Sequence, residues 1–293
     1  MSVPILAQAY RSASDLARRA YFRLQAPRPR GLCETAPAGC EREPIAGPLD
    51  PALAQLRSEG CAVLRRHVLF SLLSRESRAT LETTLKACAD KGAAVQTIRA
   101  SDELFAREPG LYLLGLDDAL LEAAEDYLDA EPLYLGAALK REAADGKLTG
   151  ARHWHRDRED DRMFRVLVYL SDAGLDAGPF EYVPARPSEA AARTHGYRSG
   201  YLDDRRAAVL APPELRRYAT GAAGDTILFD GIRIFHRASP PARQDRLSLT
   251  LTYVSRRPWL LDPRARLTRP AAADLKAQLT ARQYACLPKP LAM

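Results

Sequence analysis

One three-residue motif near the middle of the chain, His155-Arg156-Asp157, constrains the fold more than any other feature. In a β-strand, side chains two residues apart point the same way, so His155 and Asp157 would reach a common point while Arg156 faces outward. An imidazole and a carboxylate on one face suit a metal ion, but a third protein ligand has to come from a strand adjacent in space. The sequence therefore requires a fold that brings a distant segment against residues 155–157.

A second segment, residues 225–236, offers that third ligand. It reads as two short strands around a turn at residues 230–231, and it ends at His236. Two imidazoles and one carboxylate can occupy one face of an octahedral metal ion and leave the opposite positions open, as in non-haem Fe(II) oxygenases. We therefore predict that His155, Asp157 and His236 are the catalytic metal ligands.

The remaining histidines are not predicted to bind the metal ion. The chain has five histidines in all, and His67 and His195 have no partner in the sequence pattern, so each is assigned to the surface or to a hydrogen-bonded core position. His153 shares a face with His155, where packing beside the metal segment is favoured over a place in the pocket.

The next predicted strand places an arginine in the same interior. Residues 246–254 alternate polar and apolar side chains, so Arg246, Ser248 and Thr250 share one face. Burying a guanidinium destabilises a protein unless an anion pairs with it. The planar set of N–H donors of a guanidinium matches the two oxygens of a carboxylate. The hypothesis is that Arg246, helped by the Ser248 hydroxyl, holds the distal carboxylate of 2-oxoglutarate. Pairing of Arg246 with an internal acid is the alternative, and Arg243 is a second candidate anchor that we expect to be solvated.

Further motifs lie in a consistent order around these residues, at positions 154–157, 168–172, 178–184, 224–230 and 246–248. With them, the stretch from about residue 110 to 257 resembles the phytanoyl-CoA dioxygenase family of Fe(II)/2-oxoglutarate oxygenases. The resemblance implies iron, 2-oxoglutarate and O2, with His155, Asp157 and His236 as ligands and Arg246 as the cosubstrate anchor. The chain departs from the family at residues 184–187, where relatives often have Pro-Gly-Ser-His near the pocket mouth.

The resemblance also implies the fold and the reaction. The expected fold class is α+β with a mainly β core, a double-stranded β-helix (a jelly-roll-like barrel) flanked by N-terminal and covering helices. Halogenating relatives have a small residue in place of the carboxylate, whereas this chain keeps Asp157. Hydroxylation of an unactivated C–H bond of a small organic molecule, with release of succinate and CO2, is therefore the expected reaction. Desaturation, epoxidation and ring closure stay open.

Several aromatic and polar residues near the motifs also receive predicted roles. Trp154 alternates away from the metal and is assigned to packing between the barrel and a covering helix. Tyr169 is assigned to packing, with a hydroxyl contact to the cosubstrate as the alternative. Asp230 precedes a glycine at a turn and is assigned to bonding its own backbone. The insertion at residues 185–223 is expected to cover the site, with His195, Tyr197 and Tyr201 as candidate pocket residues.

The predicted organisation is an N-terminal arm and one large domain. Residues 1–49 comprise an amphipathic helix at about residues 4–25 and a Pro-rich segment. Residues 50–293 form the oxygenase domain, with a barrel core from about residue 132 to 256. Helices are expected from Asp50, as the N-cap before Pro51, to about residue 60, near 74–91, over 117–129 and around 271–284. A strand is expected at 61–64, and the first barrel strand at 132–139.

Composition limits the other classes of function. The chain is 46% hydrophobic and 27% charged, as an ordinary globular protein is. Its net charge of +6 comes from basic residues that are spread out and interrupted by acids, so a nucleic-acid substrate is not favoured. No run approaches the ~18 apolar residues of a membrane span, and no signal peptide is expected. An odd number of cysteines, five, without C-x-x-C favours reduced thiols and a cytoplasmic location.

Two other functions stay open at this point. A barrel of the same build could bind a ligand or a partner without catalysis, although an intact ligand set weighs against it. A zinc hydrolase would use the same three ligands, but it needs a general base beside the open site, and the sequence offers no convincing one.

Overall fold

The computed structural model describes residues 49–91, 98 and 101–291. The predicted N-terminal helix and Pro-rich arm lie outside the described residues, so the division of the chain at residue 49 stays a prediction. No helix in the described ranges has the length and apolar character to cross a membrane.

Ten helices of four or more residues occur in these ranges. In chain order they are α1 (Asp50–Glu59), α2 (Arg66–Leu72), α3 (Arg75–Lys91), α4 (Ser101–Arg107), α5 (Pro109–Leu113), α6 (Asp118–Leu128), α7 (Ala185–Thr194), α8 (Asp204–Leu210), α9 (Arg269–Lys276) and α10 (Ala281–Ala285). The predicted helices near 50–60, 74–91 and 117–129 are confirmed as α1, α3 and α6. The cap prediction is off by one residue, because Leu49 is the N-cap and Asp50 is the first helical residue. Gly60 ends α1 with a φ of 77°, a left-handed conformation that favours glycine.

Within the described residues, eight strands form two antiparallel sheets. They are β1 (Cys61–Leu64), β2 (Pro132–Glu142), β3 (Phe164–Tyr169), β4 (Phe180–Val183), β5 (Arg217–Ala219), β6 (Thr226–Phe229), β7 (Phe235–Ala238) and β8 (Arg246–Ser255). The larger sheet has the order β1-β6-β3-β8-β2, and the smaller has the order β5-β4-β7. The predicted strands at 61–64, 132–139 and 246–254 are confirmed. This mixed helix and sheet architecture is consistent with the predicted jelly-roll core.

The two faces of β3 show how the layers are arranged. Phe164, Val166 and Val168 pack with the helices in the main hydrophobic core. Leu167 and Tyr169 point to the opposite face, because side chains alternate along a strand, and they pack with residues of the smaller sheet. The larger sheet therefore lies between a helical layer and the smaller sheet, and the space between the sheets can hold a site.

The insertion at residues 185–223 is largely helical. It contains α7, α8 and a short 3-10 turn at Pro213–Leu215 before β5. Trp154 packs in a cluster with residues of α7, α8 and the smaller sheet, so its predicted packing role is confirmed. A cavity of about 230 Å³ beside Trp154 and α8 is lined by none of the three predicted metal ligands.

The C-terminal helix is shorter than predicted. The expected helix around 271–284 is two helices, α9 and α10, because Thr280 caps a new start: its side chain accepts from the Gln283 backbone and the Gln283 side chain accepts from the Thr280 backbone. This is a capping box, and its Thr-x-x-Gln pattern was visible in the sequence.

The cysteines of the described ranges, Cys61, Cys88 and Cys286, are free and buried. Burial raises the pKa of each of these thiols.

Candidate metal centre

His155, Asp157 and His236 converge in the structure. Their ligand atoms all lie within 4.8 Å of one another. The Nε2 atom of His155 is 3.9 Å from Oδ1 of Asp157, and the Nε2 atom of His236 is 3.8 Å from Oδ2. The imidazole centroids of the two histidines are 4.4 Å apart. His236 is buried and the other two side chains are nearly so, which gives three donors around one point inside the protein.

Backbone pairing between distant segments produces this convergence. His155 and His236 face each other in an isolated antiparallel bridge, with N–O distances of 3.1 and 2.9 Å. The amide of Asp157 donates to the Gly231 carbonyl at 2.8 Å. These three bonds fix the motif against the start of β7, and they bring both ligands of the motif towards His236.

The local structure differs from the prediction in two ways. Residues 155–157 are not part of a strand in either sheet, because only His155 makes a ladder pair before the chain bends at residues 159–162. The segment 225–236 does form two strands, but they lie in different sheets, and His236 is the second residue of β7 and not its end. Strand β7 continues to Ala238 because it pairs with β4 over that length.

The protonation states suit a divalent cation. Burial lowers the pKa of His155, and burial together with the neighbouring His155 lowers the pKa of His236 to about 3. Burial alone would raise the pKa of Asp157, but Arg165 and the two histidines hold it below its usual value. At neutral pH the site therefore offers two neutral imidazoles and one carboxylate, the forms that bind metal ions.

Arg165 is a site residue that the sequence analysis missed. It lies on β3, on the same face as Leu167 and Tyr169, and its Nη2 atom is 3.3 Å from Oδ2 of Asp157. This oxygen is buried and accepts no hydrogen bond from the described ranges of the chain. The alternation of β3 was readable from the sequence, but the approach of β3 to residue 157 depends on the tertiary fold.

Gly231 is a second missed residue, and its role is steric. A Cβ atom at this position would overlap Oδ2 of Asp157 and lie 3.0 Å from the His236 ring. The absence of a side chain thus allows the carboxylate to lie directly over the backbone of residue 231.

We expect Gly231→Ala to weaken Fe(II) binding about 10- to 100-fold, the range found when groups that orient metal ligands are changed. The added methyl group has to displace the Asp157 carboxylate. Equilibrium dialysis with Fe(II) under anaerobic conditions measures the effect. Gly174→Ala is the matched control, because a Cβ there meets no atom within 4 Å. Equal Fe(II) affinity in the two variants would contradict this role of Gly231.

Arg246 is buried at the first position of β8, and the structure gives it no acidic partner. It is 2% exposed, and its Nε and Nη1 atoms have no hydrogen-bond partner among the residues that the structure describes. No ion pair joins it to a carboxylate of the described residues, and burial lowers its pKa. The structure therefore does not contain the alternative arrangement, in which Arg246 pairs with an internal acid.

Ser248 and Tyr169 lie on the same face of the larger sheet as Arg246. Ser248 is buried on the same face of β8 and is directly opposite Tyr169 of β3. The Tyr169 hydroxyl donates to the Ala219 carbonyl at 2.7 Å and accepts from the Phe180 amide at 2.9 Å. Tyr169 thus links the two sheets, in agreement with its predicted packing role. Arg243, the second candidate anchor, is 79% exposed as expected.

The candidate pocket residues of the covering insertion separate into two groups. The Tyr201 ring is half exposed and lies 5.2 Å from the His155 ring and 5.8 Å from the His153 ring, so it borders the site. The Tyr197 hydroxyl instead accepts from the Arg156 amide and donates to the Gly200 carbonyl, a structural role. His195 is exposed, as is His67.

Asp230 has the structural role predicted for it, and a further partner. Its carboxylate accepts from the Ile232 amide at 2.9 Å, and the Tyr127 hydroxyl donates to it at 2.7 Å. Burial raises the pKa of Asp230 from 3.8 to about 6. Because the folded-state pKa lies above the unfolded one, ionisation of Asp230 lowers stability as the pH rises through this range, and the bond from Tyr127 limits that loss.

We expect Tyr127→Phe to lower the free energy of unfolding by about 1–3 kcal/mol above pH ~6, where Asp230 is ionised, because a buried carboxylate loses a donor. The loss should be smaller at about pH 5, where Asp230 is protonated. Urea unfolding at both pH values measures it. Tyr112→Phe is the control, since Tyr112 is equally buried and its hydroxyl has no partner. Equal losses in both variants would show that the Tyr127–Asp230 bond does not contribute.

Solved structures share this fold. EctD from S. alaskensis with 2-oxoglutarate and 5-hydroxyectoine is 19% identical, with a TM-score of 0.50 over 73% of this chain and 78% of EctD. HygX from Streptomyces hygroscopicus with nickel, 2-oxoglutarate and hygromycin B is 17% identical, with a TM-score of 0.49 over 71% of this chain and 87% of HygX. No protein-family model and no curated protein matches the chain.

The EctD structure contains 2-oxoglutarate, and the HygX structure contains nickel and 2-oxoglutarate. At this identity the match to EctD shows a shared fold, and the resemblance to the phytanoyl-CoA dioxygenase family is confirmed at that level.

Proposed function

We propose that this protein is an Fe(II)- and 2-oxoglutarate-dependent oxygenase that acts on a small organic molecule. The observation that carries the proposal is the convergence of His155, Asp157 and His236 within 4.8 Å. Arg246 on the interior face of β8 supports it, because its Nε and Nη1 atoms have no hydrogen-bond partner in the described part of the chain. EctD, which shares the fold, was crystallised with 2-oxoglutarate.

The side chains of His155, Asp157 and His236 fit an Fe(II) ion. Two neutral imidazoles and a carboxylate bind one face of an Fe(II) ion and leave the other face for ligands that are not protein. The backbone bonds of residues 155 and 157 hold the ligands before metal arrives, and Gly231 leaves room for the carboxylate. When bound, iron with 2-oxoglutarate and O2 supplies the oxidising chemistry, and 2-oxoglutarate leaves as succinate and CO2.

Arg246 and Ser248 hold the distal carboxylate of 2-oxoglutarate in this proposal. A guanidinium donates N–H bonds to a carboxylate, and the Nε and Nη1 atoms of Arg246 have no hydrogen-bond partner among the described residues. The Ser248 hydroxyl adds a third donor from the same face of β8. Binding here replaces the missing partners of a buried cation, so the same contact that orients the cosubstrate also removes an electrostatic cost.

Hydroxylation of a C–H bond is the reaction we propose. The Asp157 carboxylate is present, so no ligand position beside the histidines is left for a halide. The protein's part is to orient the substrate near Tyr201 at the edge of the site and to exclude water from the interior between the sheets. The barrel core over about residues 132–256 would provide this enclosure within the domain of residues 50–293.

A screen of small organic molecules tests the proposal. The protein is incubated with Fe(II), 2-oxoglutarate and O2, and succinate and product masses are followed, with Asp157→Ala as the inactive control. A substrate-dependent rise in succinate and a product that has gained one oxygen atom are expected. A product that has lost two hydrogens would redirect the reaction to desaturation or ring closure. Succinate formation that is equal in the wild type and in Asp157→Ala would contradict the proposed function.

A further inference from the structure

A buried ion pair lies next to Arg246 and has no part in the metal site. Arg152 and Glu142 are 5% and 3% exposed. The Nε atom of Arg152 donates to Oε2 of Glu142 at 2.7 Å, and the Lys140 ammonium group contacts Oε1. Burial would raise the pKa of Glu142, but Lys140, Arg152 and, as the last of the causes, the charge of Arg246 hold it below its usual value. Glu142 is therefore a charged carboxylate whose two oxygens both face cations other than Arg246.

The sheet register makes this arrangement unexpected. Glu142 of β2 is directly opposite Arg246 of β8. Directly opposite side chains in an antiparallel pair lie on the same face, with Cβ atoms roughly 5 Å apart, and opposite charges in such positions attract each other. An ion pair between them would satisfy the empty donors of Arg246, yet the structure contains none within the described residues.

Arg152 is fixed in place, which explains why Glu142 stays away. Its Nη1 atom donates to Asp145 at 2.5 Å and to the Lys147 carbonyl at 2.8 Å, and its Nη2 atom donates to the Ala143 carbonyl at 2.8 Å. The guanidinium is thus bonded to the connection that follows β2 and cannot move with Glu142 towards Arg246.

We propose that Arg152 is a positioning residue for the cosubstrate site: it holds the Glu142 carboxylate away from Arg246 and so keeps Arg246 free for the carboxylate of an incoming diacid. The proposal rests on the proposed function, in which that diacid is 2-oxoglutarate. Without Arg152, Oε2 of Glu142 would be a buried acceptor without a donor, which is costly. Arg246 lies opposite Glu142 in the sheet, and its N–H groups could donate to that oxygen.

The consequence is competition for one guanidinium. If Glu142 pairs with Arg246, 2-oxoglutarate has to break that pair before it can bind. The apparent affinity then falls in proportion to the fraction of protein in which Arg246 is still free. Iron binding should not change, because neither Arg152 nor Glu142 contacts the three metal ligands.

The test measures equilibrium binding of 2-oxoglutarate to the Fe(II)-loaded full chain by calorimetry under anaerobic conditions. For Arg152→Met we expect the Kd of 2-oxoglutarate to rise about tenfold or more. The Kd of Fe(II) should stay within about twofold of the wild type. The double variant Arg152→Met with Glu142→Gln removes the competing charge and should return the Kd of 2-oxoglutarate to within about threefold of the wild type.

This rescue separates positioning from a merely structural role. If Arg152 only stabilises the loop, the double variant binds 2-oxoglutarate no better than Arg152→Met does, and the proposal is overturned. An unchanged Kd in Arg152→Met also overturns it. Should Arg152→Met not fold, Arg152→Lys replaces it: one ammonium group cannot hold Glu142 and the loop carbonyls together, so a rise of about threefold is expected, and no rise overturns the proposal.

Failure of the proposed function gives a different result. Wild-type protein that binds Fe(II) but no 2-oxoglutarate would overturn that function, and the inference about Arg152 with it. Wild-type protein that binds both, with no effect of the Arg152 variants, would overturn the inference alone.

Discussion

Replacement of His236 by alanine is expected to remove Fe(II) binding and all turnover. His236 is the proposed ligand from the distant segment, and the two donors of the motif alone would not complete the set of three. We expect the Kd of Fe(II) to rise by at least about 100-fold. Loss of a residue that only orients a metal ligand already weakens metal binding by up to about 100-fold. Metal content after anaerobic reconstitution and desalting measures the loss.

His67→Ala is the matched control for this variant, because His67 is exposed and has no place in the site. It should keep Fe(II) binding unchanged. His236→Ala protein that retains one Fe(II) per chain with wild-type affinity would contradict the assigned ligand set.

Replacement of Arg246 by methionine is expected to have two opposite effects. The loss of the guanidinium should raise the Kd of 2-oxoglutarate at least about 30-fold, because breaking a buried charge pair costs about 2–5 kcal/mol. In the absence of 2-oxoglutarate, however, Arg246 is a buried cation with empty donors. An apolar side chain of similar size should then stabilise the cosubstrate-free protein by about 1–4 kcal/mol.

Calorimetric binding of 2-oxoglutarate and urea unfolding without it measure the two effects separately. Arg243→Met is the control, since Arg243 is largely exposed and should change neither quantity. If Arg246→Met lowers both the affinity and the stability, Arg246 has a structural partner that this account does not include. If Arg243→Met weakens 2-oxoglutarate binding, the cosubstrate anchor has been assigned to the wrong arginine.

The convergence of His155, Asp157 and His236 was predictable from the sequence because these residues follow local rules. The histidine and aspartate of the motif are two residues apart, which is enough to predict a shared direction even though the segment is bridged and not part of a sheet. His236 was predictable because a turn at residues 230–231 separates two apolar runs. The burial of Arg246 and Ser248 followed from the alternation of one long strand, which the structure confirms as β8.

The parts that were missed depend on contacts between distant residues. Arg165 meets Asp157 only because β3 passes beside the motif, and Gly231 is needed only because the carboxylate lies over it. Tyr127 and Asp230 are 103 residues apart in the chain. A pattern of apolar and polar residues gives the face of a strand or helix, but it does not give the element that packs against that face.

The helix boundaries were missed for a local reason. Leu49 precedes α1 as its N-cap although the Asp50-Pro51 pair suggested a start one residue later. At the C-terminus, the apolar spacing runs through residues 271–284, but the cap at Thr280 breaks the helix. End signals of this kind outweigh periodicity over a few residues.

The most direct test of the central claim is an anaerobic titration of the wild-type protein with Fe(II) and 2-oxoglutarate, followed by visible absorption. We expect a weak charge-transfer band that saturates at one Fe(II) and one 2-oxoglutarate per chain and that is absent in His236→Ala. A wild-type protein that develops no band and binds no Fe(II), or a band that persists in His236→Ala, would contradict it.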